Sequence, residues 1–517
     1  MTETNGKSEK ELPKILVTGA SGFLGHYFID MIKEHFLIFA LERRIPQNSP
    51  LINHPNIIWI SADIGDVKSL DRAKTKILKH GGANFVLHLA SFYDFNYDEN
   101  PEYQRTNIDG TKNVLELTKE LSVSRFIFAS SVAACEFPEP GEVINEATPP
   151  DADFAYARSK KIGEEMTKEY SQFFNTSVVR FAAIFSDWCE YGPLYVFLTT
   201  WLSKGWKSRI LGGRGNSAIT YIHVNCVIDF LIKIISKSNR LPKFDIYITS
   251  PEKPVSHKQL YYKATRYYYG KPGKPFYMPK SIATLGVNAM DFFGKLIGKR
   301  PFERPWMMQY LDRQLHVDPS YTRAVLGWRP TERFKVTRRM LYMIEHMRSY
   351  PYEWMKRNHK MFKKIHLVPN FHIAEKLEIL REELINKIVV HLCDDENSKI
   401  FPDYRKLPLP QLQKDTNTLY QFLTTAIRSR DRVSALGYAS QIADMRFQQG
   451  FTSSEVINAI DAIGDMIRKR LYKEKELKGM EQEIHDEITF TFQLMVDEIE
   501  GRYEEIKRRT TPIKVSL

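Results

Sequence analysis

A tyrosine and a lysine four residues apart form the first group in this sequence that could do chemistry, in the segment YARSK of Tyr156–Lys160. On a helix, residues i and i+4 share one face, so the phenol and the ammonium would lie side by side. A nearby cation favours the phenolate and lowers the pKa of a tyrosine. The spacing therefore predicts that Tyr156 acts as a general acid and base. The alternative, a solvated helix face, stays open on this spacing alone.

A serine hydroxyl lies upstream of that pair, in the segment FASS that ends at Ser131. The apolar run Ser124–Ser131 predicts a strand, with the hydroxyl at its carboxyl end. In open α/β sheets, ligands bind at that edge. We expect Ser131 to polarise a carbonyl or an alcohol there.

Three glycines at intervals of three, Gly19, Gly22 and Gly25, stand between an apolar run and a helical pattern. Glycines permit a tight turn and close backbone approach, and the following helix N-terminus attracts a diphosphate. The spacing G-x-x-G-x-x-G differs from the common G-x-G-x-x-G dinucleotide fingerprint. The pattern predicts a dinucleotide site, with a plain tight turn as the alternative.

The residues after the second predicted strand, Phe36–Leu41, bear on the choice of nicotinamide cofactor. A carboxylate at this position binds a ribose 2′-hydroxyl, whereas an arginine accommodates a 2′-phosphate. Glu42 favours NAD, and Arg43 and Arg44 favour NADP. Both cofactors remain open, with a slight preference for NADP because two arginines follow the strand.

The elements that must position these residues alternate between strands and helices. Such alternation predicts βαβ units and a parallel sheet, and hence an α/β fold. Asn107–Leu121 has a helical pattern. The predicted strands are Lys14–Gly19, Phe36–Leu41, Ile57–Asp63, Asn84–Ser91, Ser124–Ser131 and Thr176–Phe185.

The chain of 517 residues is too long for a single ordinary core. We expect a flexible tail over 1–13, a cofactor-binding domain with its substrate lobe over 14–347, a basic linker over 348–370, and an all-α accessory domain over 371–510. In the last part, Val456, Ile460, Ile463, Ile467 and Leu471 fall on one helix face, as do Ile484, Ile488, Phe492, Met495, Ile499, Tyr503 and Ile506. Thr452 and Glu455 form a capping-box pattern.

The composition argues against several classes of protein. A net charge of +12 arises from 74 basic and 62 acidic residues that are interspersed, which is typical of a solvated surface, and no nucleic-acid motif accompanies it. Cys135, Cys189, Cys226 and Cys393 are far apart, so we expect no disulfide framework and no metal site, and a cytoplasmic location. The sequence also shows no signal peptide and no apolar run that would span a membrane.

Taken together, the motifs resemble the extended short-chain dehydrogenase/reductase family, which includes NAD-dependent epimerases, dehydratases and hydroxysteroid-type dehydrogenases. The resemblance covers about two thirds of the chain, from Lys14 to Met347. It implies an α/β fold of the Rossmann type, with a doubly wound parallel sheet and a small substrate lobe. The matching segments, in family order, are TGASGFLG, SADIGD, VLHLAS, NIDGTKNVLE, FASSVA, YARSK, VVRFAAIF, YIHVNCV and LGWRP.

The resemblance implies a catalytic triad of Ser131, Tyr156 and Lys160, with Lys160 also holding the nicotinamide ribose. It implies that the three glycines meet the diphosphate, that Asp63 and Ile64 lie by the adenine, and that Ala90 borders the nicotinamide. The full set of expected cofactor-binding residues is Gly19, Ser21, Gly22, Phe23, Leu24, Gly25, Glu42, Arg43, Arg44, Asp63, Ile64, Leu89, Ala90, Ser91, Asn107, Tyr156 and Lys160.

The segment GRGNSAITYIHVNC, Gly213–Cys226, departs from a pattern common among nucleotide-sugar members of the family, GDGxxxRDFxHVxD. Ile219 and Thr220 replace its arginine and aspartate, and the arginine is the residue that binds a substrate phosphate. This change makes a nucleotide-sugar substrate doubtful, although Arg214 could substitute. The segment TYIHVNCV resembles the hydroxysteroid-dehydrogenase branch of the family more closely.

The segment Ser281–Arg300 is apolar on one side and has a basic end. Such a pattern can lie on a membrane surface or cover a lipid-like substrate. A core helix of the substrate lobe is the interpretation that we prefer from the sequence.

The sequence therefore predicts an NAD(P)-dependent oxidoreductase or epimerase that transfers hydride at a secondary alcohol or carbonyl of a small or lipid-like substrate. One alternative is a nucleotide-sugar epimerase or dehydratase. Another is a regulatory protein that senses nucleotide redox state and signals through its helical domain, because residues near FTSSEV faintly resemble sensor domains of bacterial stress-response regulators. We also expect a homo-oligomer, with a possible protein partner for the helical domain.

Overall fold

The computed structural model divides the chain into two compact units, Met1–Lys363 and Lys364–Leu517. The predicted tail lies outside the described residues up to residue 11. The structure describes residues 12–46, 51–94, 99–203, 205–297, 302–362, 369–429 and 431–510.

A parallel sheet organises the first unit, and its seven strands within the described residues follow the order β11-β6-β5-β4-β1-β2-β3. The order runs outwards in both directions from β1 and β4, which confirms the predicted doubly wound α/β class. The strands are β1 (Lys14–Thr18), β2 (Leu37–Glu42), β3 (Ile57–Ser61), β4 (Phe85–His88), β5 (Arg125–Ser131), β6 (Thr176–Phe181) and β11 (Phe244–Thr249).

Helices cover both faces of the sheet, as the apolar strands require, because a parallel sheet has no face that tolerates water. Helices α1 (Phe23–Ile32) and α6 (Val224–Ser236) pack on one face. Helices α2 (Val67–Leu78), α3 (Gly110–Lys119) and α4 (Ala155–Glu169) lie on the other side, where α2 and α3 contribute most of the helical core. The carboxyl ends of the strands therefore open between two helical layers.

The strands differ from the sequence prediction in two places. The run Thr176–Phe185 is not one strand, because β6 ends at Phe181 and β7 (Ala183–Phe185) leaves the main sheet to pair with β10 (Tyr221–His223). Strand β11 was missed, since Asp245 and Thr249 interrupt its apolar pattern.

The substrate lobe has its own core, which includes Leu198, Trp201, Leu260 and Met340. Its remaining elements are short strand pairs and helices: β8 (Ile210–Gly212), β9 (Ala218–Ile219), β12 (Val255–Ser256), β13 (Phe276–Met278), α5 (Gly192–Trp201), α7 (His257–Tyr269), α8 (Lys280–Ile297), α9 (Ser320–Leu326), α10 (Val336–Ser349) and α11 (Pro351–Phe362).

Two expectations about this region differ from the structure. The segment predicted as a linker, 348–370, contains helix α11, whose Trp354 is buried in the lobe core and whose Asn358 donates to the Trp188 carbonyl at 2.7 Å. The basic residues of this segment suggested an exposed linker, but those within α11 lie on a helix that packs into the lobe. Residues 363–368 lie outside the described residues. Helix α8 is not a core helix, because its large apolar side chains are exposed.

Helices form the second unit throughout its described residues, around a single core. The two predicted apolar stripes are buried in that core, apart from the half-buried Ile506. Thr452 caps α15 as predicted, but the Glu455 carboxylate accepts from the backbone amides of Asp403 and Tyr404 instead of completing a capping box. The helices are α12 (Pro369–Cys393), α13 (Leu409–Ser429), α14 (Val433–Gln448), α15 (Ser453–Leu471), α16 (Glu481–Ile484) and α17 (Phe490–Thr510).

Candidate active site

A cavity of about 980 Å³ opens at the carboxyl ends of the central strands. Fold topology predicts a ligand site at this edge. Three of the predicted residues, Gly25, Arg44 and Asn107, do not line it. The predicted residues that do are Gly19, Ser21, Gly22, Phe23, Leu24, Glu42, Arg43, Asp63, Ile64, Leu89, Ala90, Ser91, Ser131, Tyr156 and Lys160.

The glycine turn between β1 and α1 is closely packed against the backbone. Gly19 has φ +68°, and a Cβ on it would lie 2.8 Å from the Ala90 amide nitrogen. A Cβ on Gly25 would lie 2.3 Å from the Gly19 carbonyl oxygen, so this glycine lets the first turn of α1 approach the loop from below. Gly25 therefore shapes the cradle, whereas Gly19 and Gly22 form its surface.

Glu42, the last residue of β2, turns its carboxylate towards the glycine turn. The carboxylate accepts hydrogen bonds from the amides of Ser21 and Arg43, each at 3.1 Å. The Arg43 guanidinium lies 3.8 Å from the carboxylate of Glu102. The acidic side chain, rather than the arginine, is thus fixed beside the phosphate cradle.

A cluster of charged side chains fixes the loop that follows β3. Asp63 accepts from the Gly65 amide at 2.8 Å and from Arg105 Nη1 at 2.9 Å. Arg105 also donates to Glu102, and this hydrogen bond holds the pKa of Glu102 down at about 2. Asp63 is expected from the sequence, whereas Arg105 and Glu102 are not, because both lie outside the segments that resemble the family.

The predicted triad is assembled at the ends of β5 and α4. Lys160 Nζ lies 5.5 Å from the centre of the Tyr156 ring, and it donates to the Ala129 carbonyl at 2.7 Å. Burial lowers the pKa of Lys160 to about 7. Ser131 Oγ accepts from the Ala133 amide at 3.1 Å, which fixes the hydroxyl at the strand end.

Asn107 lies behind the cavity wall, in a π-helical segment that spans Tyr103–Asp109. Its side-chain oxygen accepts from the Phe92 amide, and its side-chain nitrogen donates to the Phe92 carbonyl. The same nitrogen donates to Ser159 Oγ at 3.0 Å. Ser159 in turn donates to the Tyr156 carbonyl at 2.7 Å. The expected cofactor contact is therefore replaced by a positioning contact, which ties the turn that carries Tyr156 to the loop after β4.

Aromatic side chains dominate the outer half of the cavity. The charged lining residues of this outer half are the carboxylates Glu136, Asp153 and Glu190. Within the described lining residues, the cations are Arg43 and Lys160, and both belong to the cofactor half. The aromatic lining residues of the outer half are Phe92, Tyr93, Phe137, Phe154, Phe181, Tyr191, Trp306 and Tyr310.

Arg214, the possible substitute for the missing phosphate-binding arginine, is held by its backbone elsewhere. Its amide donates to the Asp312 carboxylate, which also accepts from the Asn216 amide. Its side chain is not among the described lining residues, whereas Ile219 and Thr220 are. The arrangement leaves the outer cavity without this cation.

His88 is buried at the centre of the sheet, between the hydroxyls of Thr18 and Thr111 at 2.7 and 3.0 Å. Burial lowers the pKa of His88 to about 3, so the imidazole is neutral. Among the described residues, no cluster of His, Cys, Asp or Glu is placed to hold a metal ion, and no helix has the length and apolarity to cross a membrane.

The family follows from this chain's match to a known domain. Residues 15–248 match the model of the NAD dependent epimerase/dehydratase family. The match runs from β1 to β11 and so spans the whole parallel sheet of the first unit. The match confirms the predicted resemblance and the enzyme class that it implies, an NAD-dependent enzyme of the extended short-chain dehydrogenase/reductase type.

Curated relatives of the epimerase/dehydratase domain act on different compounds, according to their names. A Methanocaldococcus jannaschii protein provisionally named UDP-glucose 4-epimerase is 29% identical over 223 residues, which are 41% of this chain and 70% of the relative. A sterol-4-alpha-carboxylate 3-dehydrogenase (decarboxylating) of Dictyostelium discoideum is 29% identical over 189 residues, 34% of this chain and 55% of the relative.

The fold of the first unit is also found in a solved structure. The crystal structure of the UDP-glucose 4-epimerase of Thermotoga maritima with UDP-glucose matches with a TM-score of 0.51 at 18% identity, over 65% of this chain and 99% of that one. The second unit lies outside the family match, which ends at residue 248.

Proposed function

We propose that the first unit is an NAD-dependent oxidoreductase or epimerase that acts on a secondary alcohol, or the matching ketone, of an uncharged, lipid-like substrate. One observation carries this proposal. The cavity joins Ser131, Tyr156 and Lys160 to a glycine cradle on one side and, on the other, to an aromatic wall whose described lining residues include no cation.

The cofactor half fits a nicotinamide dinucleotide. The cradle at Gly19 and Gly22 is free of Cβ atoms and lies at the start of α1, where the helix dipole favours a diphosphate. Glu42 faces that cradle and is suited to accept hydrogen bonds from ribose hydroxyls, while its charge would repel a 2′-phosphate. We therefore propose NAD, in place of the slight preference for NADP that the sequence suggested.

The side chains of the triad would divide the work of a hydride transfer. The bound nicotinamide supplies the hydride acceptor or donor at its C4. Tyr156 would move the proton of the substrate oxygen, with the Lys160 ammonium favouring the phenolate. Ser131 would donate to the same oxygen and fix its position. Protonated Lys160 could also donate to the nicotinamide ribose, as the family resemblance implies.

The outer half of the cavity decides the substrate class. A nucleotide sugar carries a diphosphate, whose recognition is served best by arginine or lysine. The aromatic wall offers apolar ring surfaces. Of its carboxylates, Asp153 is paired with Arg158 and Glu190 lies 3.9 Å from Arg357, so Glu136 is the one that would repel an anion. A neutral ring alcohol fits this lining better. The sterol dehydrogenase relative is named for 3-dehydrogenation of a sterol, although that sterol also carries a carboxylate.

The test uses the full chain with NAD, a set of 3-hydroxysteroids and related ring alcohols, and UDP-glucose and UDP-galactose. We expect NADH to form with a ring alcohol, and Tyr156→Phe to reduce turnover by about 10²–10⁴-fold while it leaves NADH binding nearly unchanged. Tyr93→Phe is the control. The centres of the Tyr93 and Tyr156 rings lie 4.7 Å apart, and a phenylalanine at position 93 would keep this ring contact while it removes a hydroxyl.

Three outcomes would overturn the proposal in different ways. Interconversion of the UDP-sugars without oxidation of any ring alcohol would establish the nucleotide-sugar alternative. Tight NADH binding without turnover of any compound would favour a protein that senses nucleotide redox state. Equal losses in Tyr156→Phe and Tyr93→Phe would remove Tyr156 from its proposed role.

A further inference from the structure

Helix α8 in the substrate lobe is oriented against the usual rule for a globular protein. Its buried face consists of small or polar residues: Ala283, Val287, Asp291 and Gly294. Its exposed face carries the large apolar residues, with exposed fractions of 58% for Ile282, 73% for Leu285, 60% for Phe292 and 58% for Phe293. We call these four residues the apolar face of α8.

The two faces follow from the helical period. At about 100° per residue, the apolar face centres almost opposite the buried residues. The inward side is fixed by the buried pair of Asp291 and Arg304, whose carboxylate and guanidinium lie 3.4 Å apart. A rotation that hid the apolar face would expose this pair, so the outward orientation is a stable feature of the lobe.

Two stretches of sequence carry charge of one sign: the one that leads into α8, and the one that contains β8, the partner of β13. Residues 253–290 contain seven lysines and arginines and no aspartate or glutamate, and residues 191–228 contain four and none. The one acidic residue described in α8, Asp291, is buried and neutralised by Arg304 and Lys295. Lys271, Lys274 and Lys280 are all exposed on the segment that leads into the helix.

Further apolar side chains are exposed on the same segment. Phe276 and Tyr277 of β13 have exposed fractions of 62% and 36%. Exposed apolar patches rimmed by cations are typical of surfaces that lie on anionic membranes, where the apolar groups enter the interface and the lysines meet lipid phosphates.

We propose that the apolar face of α8 and its flanking lysines dock the protein on an anionic lipid surface. The helix lies in the interface and does not cross it. Helix α8 packs against the 3-10 segment Pro305–Tyr310, whose Trp306 and Tyr310 line the cavity. Docking would therefore hold the aromatic half of the cavity close to the membrane. The inference is independent of the proposed reaction.

The test is flotation of the full chain with vesicles made of equal amounts of phosphatidylcholine and phosphatidylglycerol, compared with pure phosphatidylcholine. We expect binding to the anionic vesicles that weakens as salt rises, because electrostatic attraction contributes. The double variant L285E/F292E should bind the anionic vesicles at least about tenfold more weakly than the wild type. Leu78→Glu, on the exposed end of α2, is the matched control and should bind like the wild type.

All of the variants change exposed side chains, and their NADH binding will show whether they are folded. Absence of wild-type flotation would overturn the proposal, as would equal flotation of L285E/F292E and wild type. Size-exclusion chromatography without vesicles tests whether a second copy of this chain, and not a membrane, covers the apolar face of α8. If L285E/F292E converts an oligomer into a monomer and vesicle binding is absent, the face joins two copies of this chain instead.

Discussion

Lys160 and Ala129 are joined by a hydrogen bond of 2.7 Å from the lysine ammonium to the backbone carbonyl, which links the middle of α4 to β5. The lysine is buried and sits above the Phe128 ring, with its nitrogen 5.2 Å from the ring centre. One carbonyl and two aromatic rings replace the water that a lysine normally keeps. This environment is the cause of the lowered pKa of Lys160, about 7.

We expect Lys160→Met to stabilise the fold while it abolishes turnover. The native state holds fewer protons on Lys160 than the unfolded state between pH 7 and the usual lysine pKa, so the stability of the wild type rises with pH over that window. The gain from Lys160→Met should therefore be largest below pH 7, at most roughly 5 kcal/mol, and shrink towards pH 10. Urea unfolding at pH 6 and pH 9 measures it.

The neighbouring lysine provides the control for that experiment. Lys161 is exposed, so Lys161→Met should leave the unfolding free energy nearly unchanged at both pH values. A loss of stability in Lys160→Met at pH 6 would show that the hydrogen bond to Ala129 outweighs the cost of the buried charge, contrary to our expectation.

Glu42 should set the choice between the two nicotinamide cofactors. We expect the wild type to bind NADH at least about tenfold more tightly than NADPH, because the carboxylate repels a 2′-phosphate. Glu42→Ser should weaken NADH binding and strengthen NADPH binding. Fluorescence titration with each reduced cofactor measures both affinities.

Arg43 gives the reciprocal test of the same assignment. If Glu42 is the determinant, Arg43→Ala should change the NADH affinity little. A wild type that prefers NADPH, together with loss of that preference in Arg43→Ala, would instead place the arginine on the 2′-phosphate and return the site to the cofactor that the sequence slightly favoured.

Asn107→Ala should impair both the fold and the turnover. The substitution leaves the Phe92 amide and carbonyl and the Ser159 hydroxyl without this partner, at a cost of roughly 2–4 kcal/mol. Because the turn that carries Tyr156 loses its tie, kcat should fall more than KM rises. Urea unfolding and steady-state kinetics on a ring alcohol that the wild type oxidises provide the two readouts.

The matched control is Asn113→Ala, which removes one donated hydrogen bond, to the Ile64 carbonyl. We expect a smaller loss of stability and an almost unchanged kcat. If Asn113→Ala lowers kcat as much as Asn107→Ala does, the effect of the latter is a general loosening of the fold and not the positioning of Tyr156.

Local sequence patterns predicted the sheet and most of the cavity because those features depend on neighbours in the chain. The glycine turn, the strand ends at Glu42 and Ser131, and the four-residue spacing of Tyr156 and Lys160 are all of this kind. Strand β11 and the pairing of β7 with β10 are set by contacts between distant segments, and these were missed or misjudged.

Side-chain partners could not be predicted for a related physical reason. Asn107 was expected to contact the cofactor, but the π-helical segment aims its amide at Phe92 and Ser159. The orientation of α8 was equally hidden, since its sequence is amphipathic whichever side faces inwards. Only the position of the Asp291–Arg304 pair settles which face is exposed.

The strand order also has a consequence for how the chain reaches its native state. Strand β1 pairs with β2 and with β4, and β6 pairs with β11 across the whole of the β7–β10 region. Such non-local pairings close long loops before they gain contacts, so they form slowly, whereas neighbouring helices of the second unit associate quickly. The first unit should therefore be the slow step in refolding, and the half that exposes unpaired strand edges to aggregation meanwhile.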